Sequence, residues 1–249
     1  MPISTPPTEQ ALLKMIVLSD VQSVAQRAAT IIALEARAAV ASRGRFTLAV
    51  SGGHTPWVML SALVDEDVPW EHVHLLQVDE RVAPAGDADR NLAHLRESLL
   101  DNVPLPAAQI HAMPVEAADL EAACAQYAAT LRAIAGSPPV LDLVHLGLGP
   151  DGHTASLIPE DKVLDAADVD VALTGPYQGR RRMTLTYPVI NHARRILWVV
   201  TGDDKELMLR RLLDGDPSIP AGRVKRASAL IVADRAAAGP STPRAGEGK

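Results

Sequence analysis

Several segments of this chain are apolar along nearly their whole length rather than at alternate positions: Leu48-Ala49-Val50, Leu75-Leu76-Gln77-Val78, Leu141 to Leu146 and Ile196 to Val200. A strand with one wet face alternates apolar and polar residues, so a near-continuous run demands cover on both faces. The intervening segments can supply that cover. Asp20 to Arg43 carries apolar residues at three- and four-residue spacing behind a candidate N-cap, Asp20. Further helices are expected at 56–63, 91–100, 117–136 and 204–215. Strands are expected at 46–50, 73–78, 110–113, 141–149, 168–174, 182–187, 195–202 and 228–234. The alternation predicts an α/β fold, a doubly wound, mostly parallel sheet with helices on both faces. No repeat or internal linker divides the 249 residues, so 1–249 reads as a single domain, with 1–9 and the Pro/Gly-rich 236–249 as flexible tails.

Composition narrows the partners. Aromatics are only 3% of the chain, so the core must be aliphatic, and the net charge of −6 argues against nucleic acid or an anionic membrane as a partner. A single cysteine, Cys124, excludes an internal disulfide framework and suits a reducing compartment. The first twenty residues lack a basic n-region and a long apolar stretch, and no run is long enough to span a bilayer. The expected setting is the cytoplasm, as a monomer or small homo-oligomer.

In a doubly wound sheet, ligands sit beyond the carboxyl ends of the strands. Four polar clusters fall there: SGGHTP after 46–50, DERVAP after 73–78, GLGPDGHTASLIP after 141–146 and TGDDK after 195–200. In the first, Gly52 and Gly53 can turn backbone N–H groups toward an anion at a helix N-terminus, with Ser51 and Thr55 as hydroxyl donors. A tight strand-to-helix turn needing glycine accounts for the same residues, and both readings stand. GLGPDG matches G-x-G-x-x-G, but Pro159 leaves no length for the helix that a dinucleotide site requires. Its glycines, Gly149 and Gly152 among them, instead keep a backbone clear for a substrate. Free histidine titrates near 6.5, close to neutrality, so the residue type at His153, beside Asp151, suits a general base. Ser156 lacks the G-x-S-x-G context of a nucleophile. Asp79-Glu80-Arg81 offers either a structural ion pair or an arginine fork on a substrate oxygen. Arg182 and Lys205 add cations that, with the glycine loop, would satisfy a dianionic phosphate. His72 and His74 mimic a metal pair, but no third ligand has suitable spacing, so no metal is expected.

Taken in order, SGG-TP (51–56), VDERVAP (78–84), DADRN (87–91), LGLGPDGHTASLIP (146–159), RRMTLTYPVIN (181–191) and TGDDK (201–205) resemble the superfamily of 6-phosphogluconolactonases and glucosamine-6-phosphate deaminases, and within it the lactonases. The resemblance implies hydrolysis of 6-phospho-D-glucono-1,5-lactone in the pentose phosphate pathway, without an obligatory cofactor and with a sugar phosphate as the partner. By motif position it makes His153 the base and puts Arg81 on the substrate beside Asp79. The loop Ser51 to Thr55, Arg182 and Lys205 would hold the phosphate, and Asp151 would orient His153. The deaminase branch has a glutamate shortly before the proline of the DGH loop; here Ser156-Leu157-Ile158 offers none. Two departures stand out. His54 replaces a small hydroxyl residue, and Ile158 stands where phenylalanine is commoner.

Overall fold

The computed structural model describes residues 13–239. A seven-stranded parallel sheet runs through the molecule in the order β1 (Lys14–Leu18), β10 (Ala229–Asp234), β9 (Arg195–Val200), β6 (Leu143–Leu146), β2 (Phe46–Val50), β3 (Val73–Gln77) and β5 (Ile110–His111). Side chains along each strand alternate between two apolar cores. Phe46, Leu48 and Val50 face one side with Leu197 and Val199; Ala49, Leu76 and Val144 face the other with Ile196 and Trp198. The near-continuous apolar runs are thus divided between two helical layers.

The first layer holds α1 (Val21–Arg43), α2 (His54–Leu63) and α3 (Asn91–Ser98). Helix α1 starts where Asp20 Oδ1 accepts the Ser23 N–H at 2.8 Å. It buries a stripe of small residues, Val24, Ala25, Ala28, Ala29 and Ile32, that lets it lie close to the sheet. Gly44, at φ +74°, stops it with its N–H on the Val40 carbonyl. The second layer holds α4 (Leu120–Ala135), α5 (Tyr187–His192), α6 (Glu206–Asp214) and α7 (Arg235–Ala238).

This layer also contains a second, three-stranded antiparallel sheet, β4 (Asp79–Arg81), β8 (Arg182–Leu185) and β7 (Val171–Leu173), in that order. Three features go beyond the pattern of apolar runs. Asp79-Glu80-Arg81 is a strand rather than a loop, and segments 168–174 and 182–187 join it instead of extending the parallel sheet. The chain also has an unanticipated edge strand, β1, paired with β10. Residues 1–9 and 240–249, expected as tails, lie outside the described residues. Residues 236–238 are not a tail: they complete α7, with Gly239 as its C-cap, and Asp234 Oδ1 caps the Ala237 N–H at 2.7 Å.

From β2 the chain winds one way to β3 and β5. The strands β6, β9, β10 and β1 lie on the other side. The order therefore reverses between β2 and β6, where consecutive loops diverge and leave a crevice.

Candidate active site

A cleft of about 410 Å³ opens at that reversal, walled by the loops after β2, β6 and β9 and by β4 and β8 of the small sheet. Ser51, Gly52, Gly53, His54, Thr55, Asp79, Arg81, Gly149, His153, Arg182 and Lys205 line it. Two expected residues do not. Asp151 stands behind His153. Gly152 faces away: its N–H goes to the Gly149 carbonyl, its own carbonyl accepts from Ala221, and a Cβ there would lie 2.7 Å from Ile219. Gly152, at φ +83°, serves the turn rather than a substrate.

At one end of the cleft the β2–α2 loop presents the first turn of α2. Amides of a first turn have no intrahelical acceptor, and Pro56 has no N–H at all, so the exposed donors are those ahead of it. Gly52 must be glycine, because a Cβ would sit 1.9 Å from Asn91 Oδ1. Thr55 Oγ1 and Thr201 Oγ1 are 2.6 Å apart. One hydrogen bond between two hydroxyls leaves one O–H free to donate into the cleft. Lys205 Nζ rests on Asp204 Oδ2 at 2.7 Å beside them. Ser51 is corrected as a hydroxyl donor. Its O–H goes to the His145 carbonyl (3.1 Å) and its N–H to His145 Nδ1 (3.3 Å), so it braces the loop against β6.

At the other end, His153 Nδ1 meets Asp151 Oδ1 at 2.5 Å, leaving Nε2 for the cleft. Asp151 Oδ1 also accepts the His153 N–H (3.1 Å), and Oδ2 accepts the Tyr177 hydroxyl (2.9 Å). Burial acts to raise the Asp151 carboxyl, but the His153 contacts and the Tyr177 hydroxyl outweigh it and hold the group well below the ordinary carboxylate range. Gly149 makes this pair possible: a Cβ there would lie 2.1 Å from His153 Nδ1. Its N–H is bonded to the His153 carbonyl at 2.8 Å, so that amide is turned into the loop and not toward a ligand.

Between the two ends, Asp79 is buried, and desolvation raises its carboxyl despite the Ser156 hydroxyl at 2.7 Å and the neighbouring Arg81 and Arg182. With its O–H on Asp79, Ser156 is a support and not a nucleophile. Glu80 shows the structural side of the DER motif. Wholly buried, it accepts N–H groups of Arg81, Asn91 and Leu92 and the Gln77 amide, with Arg90 Nε at 3.3 Å. It thereby ties the start of α3 to the strand that carries Arg81. Arg182 is buried too, its guanidinium 4.9 Å above the Tyr177 ring. The sequence does not single out Asn91, His145, Tyr177 or Thr201, while the structural ion-pair reading of the DER motif falls to Glu80. A Gln178-Gly179 pair ahead of a strand hints at a hairpin, but no spacing links Tyr177 to Asp151.

His72 and His74 do not act together. His74 Nδ1 faces His111 Nε2 at 3.1 Å, His72 lies beside Glu71, and the described residues contain no group of three metal-binding side chains. No helix among them is long and apolar enough to cross a membrane.

Residues 19–232 match the family model described as glucosamine-6-phosphate isomerases/6-phosphogluconolactonase. A 6-phosphogluconolactonase of Synechocystis is 37% identical over 222 residues, which cover 86% of this chain and 92% of the relative. One from Mycobacterium tuberculosis is 38% identical over 81% of this chain and 87% of its own. Among solved structures, a 6-phosphogluconolactonase from Shewanella baltica superposes with a TM-score of 0.78 at 26% identity, covering 90% of this chain and 98% of that one. With the parallel sheet, the crevice at its reversal and the DGH loop in the same chain as these matches, the protein belongs to the glucosamine-6-phosphate isomerase/6-phosphogluconolactonase family.

Proposed function

We propose that this protein hydrolyses 6-phospho-D-glucono-1,5-lactone to 6-phospho-D-gluconate, the lactone-opening step of the oxidative pentose phosphate pathway. The observation that carries the reading is the Asp151–His153 pair facing one end of a cleft whose other end offers an anion the α2 amides, a threonine hydroxyl and Lys205. The names of the relatives support the substrate.

The chemistry follows from the two ends. The Asp151 contact puts the imidazole proton on Nδ1, so Nε2 is the basic nitrogen. Nε2 takes a proton from water as the water oxygen bonds to the lactone carbonyl carbon. The carbonyl oxygen becomes an oxyanion, stabilised by the Arg81 guanidinium. Collapse of that intermediate breaks the bond to the ring oxygen, which takes the proton back from His153 and leaves as a hydroxyl. The new carboxylic acid then ionises. Holding the phosphate at the far end of the cleft fixes the carbonyl against the base and converts binding into rate.

A coupled assay with freshly generated lactone, beside a glucosamine 6-phosphate control, tests the reading. Turnover is expected on the lactone and not on the amino sugar, and His153→Ala should lose about 10²–10⁴-fold in kcat. Near-normal turnover by that variant would refute the assignment of the base.

A further inference from the structure

Tyr177 sits at the tip of the hairpin that joins β7 to β8. Its N–H donates to the Arg180 carbonyl at 2.9 Å and the Arg180 N–H returns to the Tyr177 carbonyl at 3.2 Å. Between them, Gln178 and Gly179 both have positive φ, +51° and +80°, the signature of a type I′ turn. Arg180 pins the tip to the loop before α3 through Asp87 Oδ2 (2.9 Å) and Asp89 Oδ2 (2.8 Å). The hairpin tip is therefore held from two sides.

From that position the one side chain does two separable things. Its hydroxyl donates to Asp151 Oδ2 at 2.9 Å, the carboxylate oxygen that His153 does not use. Its ring meets the His153 ring edge-on, with centroids 5.6 Å apart, and carries the Arg182 guanidinium over its face. A carboxylate held by one oxygen swings about its Cβ–Cγ bond. Held by both, its plane is set, and so is the direction in which it aims the imidazole. We infer that Tyr177 is a positioning residue of this active site: through its hydroxyl it fixes Asp151 and thereby His153, and through its ring face it fixes Arg182. This rests on His153 being the base, as proposed above.

The two contacts predict a split that a purely structural tyrosine would not give. Tyr177→Phe keeps the platform under Arg182 and removes the bond to Asp151, so kcat should fall about fivefold with KM within about twofold. Tyr177→Leu removes both, so the same loss in kcat should be joined by a rise in KM of about fivefold. In an Asp151→Asn background, Tyr177→Phe should cause little further loss, because the two act in series. A Tyr177→Phe enzyme with unchanged kcat, a loss carried by KM alone, or full additivity with Asp151→Asn overturns the proposal. Should Tyr177→Leu fail to fold, the Phe variant and the double variant still decide. His153→Ala, assayed in parallel, separates the two levels. If it stays active, the base is wrong; if it is dead while Tyr177→Phe is normal, Tyr177 alone is wrong.

Discussion

At the scale of single residues, the site is shaped as much by missing side chains as by present ones. Gly149 has no Cβ because His153 occupies that space, and Gly52 has none because Asn91 does. Asn91 cannot easily yield, since its Nδ2 is tied to the Asp79 carbonyl at 3.0 Å. Gly52→Ala should therefore displace the anion-facing loop and raise KM by more than about tenfold, as misplacement of an ångström can. An unchanged KM would show that the loop has slack. Lys205→Ala should likewise raise KM with little change in kcat, because Lys205 lies at the anion end of the cleft; a loss confined to kcat would move it to the reaction end. His54, exposed at the cleft rim and bordering a neighbouring hollow, is the least committed of the loop residues, and His54→Ser should leave turnover within a few-fold.

His145 gives a test in pH. It is fully buried beneath the loop, and desolvation pushes its imidazole down to about 3. The unfolded chain takes up that proton near pH 6.5, before the native state does. Stability is thus fully present above about 6.5 and falls as pH drops toward 3, at a slope approaching 1.4 kcal/mol per unit. His145→Gln removes that titration while leaving a polar side chain. Urea midpoints measured near neutrality and near pH 5 should then differ less for the variant than for the parent. Equal acid sensitivity in both proteins would place the titration elsewhere.

At the scale of elements, what was readable depended on whether the signal lay within a segment or between segments. Helix α1 is plain from its spacing and from Asp20, and Asp20→Ala should lower the midpoint of an equilibrium melt by removing the cap on the Ser23 N–H. The strands of the buried sheet declared themselves as apolar runs. Strand β1 is also a short apolar run, Met15 to Leu18, but four apolar residues directly ahead of a helix do not by themselves separate a strand from a helix lead-in, and as an edge strand it is only partly buried. The small sheet was hidden for a different reason. Periodicity marks a residue as extended but is silent on its neighbour, and β4 is three residues, Asp79-Glu80-Arg81, with no apolar signal at all. Its pairing with β8 places Arg81 opposite Arg182. Like charges in register are unfavourable unless counter-charges intervene, and Asp79 is the nearby carboxylate. The sequence therefore displayed the site's reactive groups, but not the sheet that brings the two arginines together or the hairpin tip that brings Tyr177 to Asp151.

At the scale of the whole molecule, the two layers of helices leave the carboxyl edge of the parallel sheet open, and three of its loops meet β4 and β8 there. A ligand that bridges them should stabilise the fold globally. At about a hundred times its Kd, 6-phosphogluconate should add about 2.7 kcal/mol to the unfolding free energy and raise Tm by roughly 5–10 °C. The gain should shrink in Lys205→Ala. Thermal shifts that are equal with 6-phosphogluconate and with gluconate would show that the phosphate contributes nothing. The acidic net charge is no obstacle to such a ligand, since Arg81, Arg182 and Lys205 supply the local positive field.

The outer edge of the parallel sheet carries a consequence for biosynthesis. Strand β1 pairs with β10 alone, in register from Lys14 against Leu230 to Leu18 against Asp234. The first of the described strands to leave the ribosome therefore waits for the last of them to be translated, while β2, β3 and β5 can assemble behind it. Non-local pairing of this kind is slow to form. In pulse-labelled hydrogen exchange during refolding of the full chain, the amides of β1 should gain protection last, together with those of β10, and protection of β1 ahead of β10 would rule that order out.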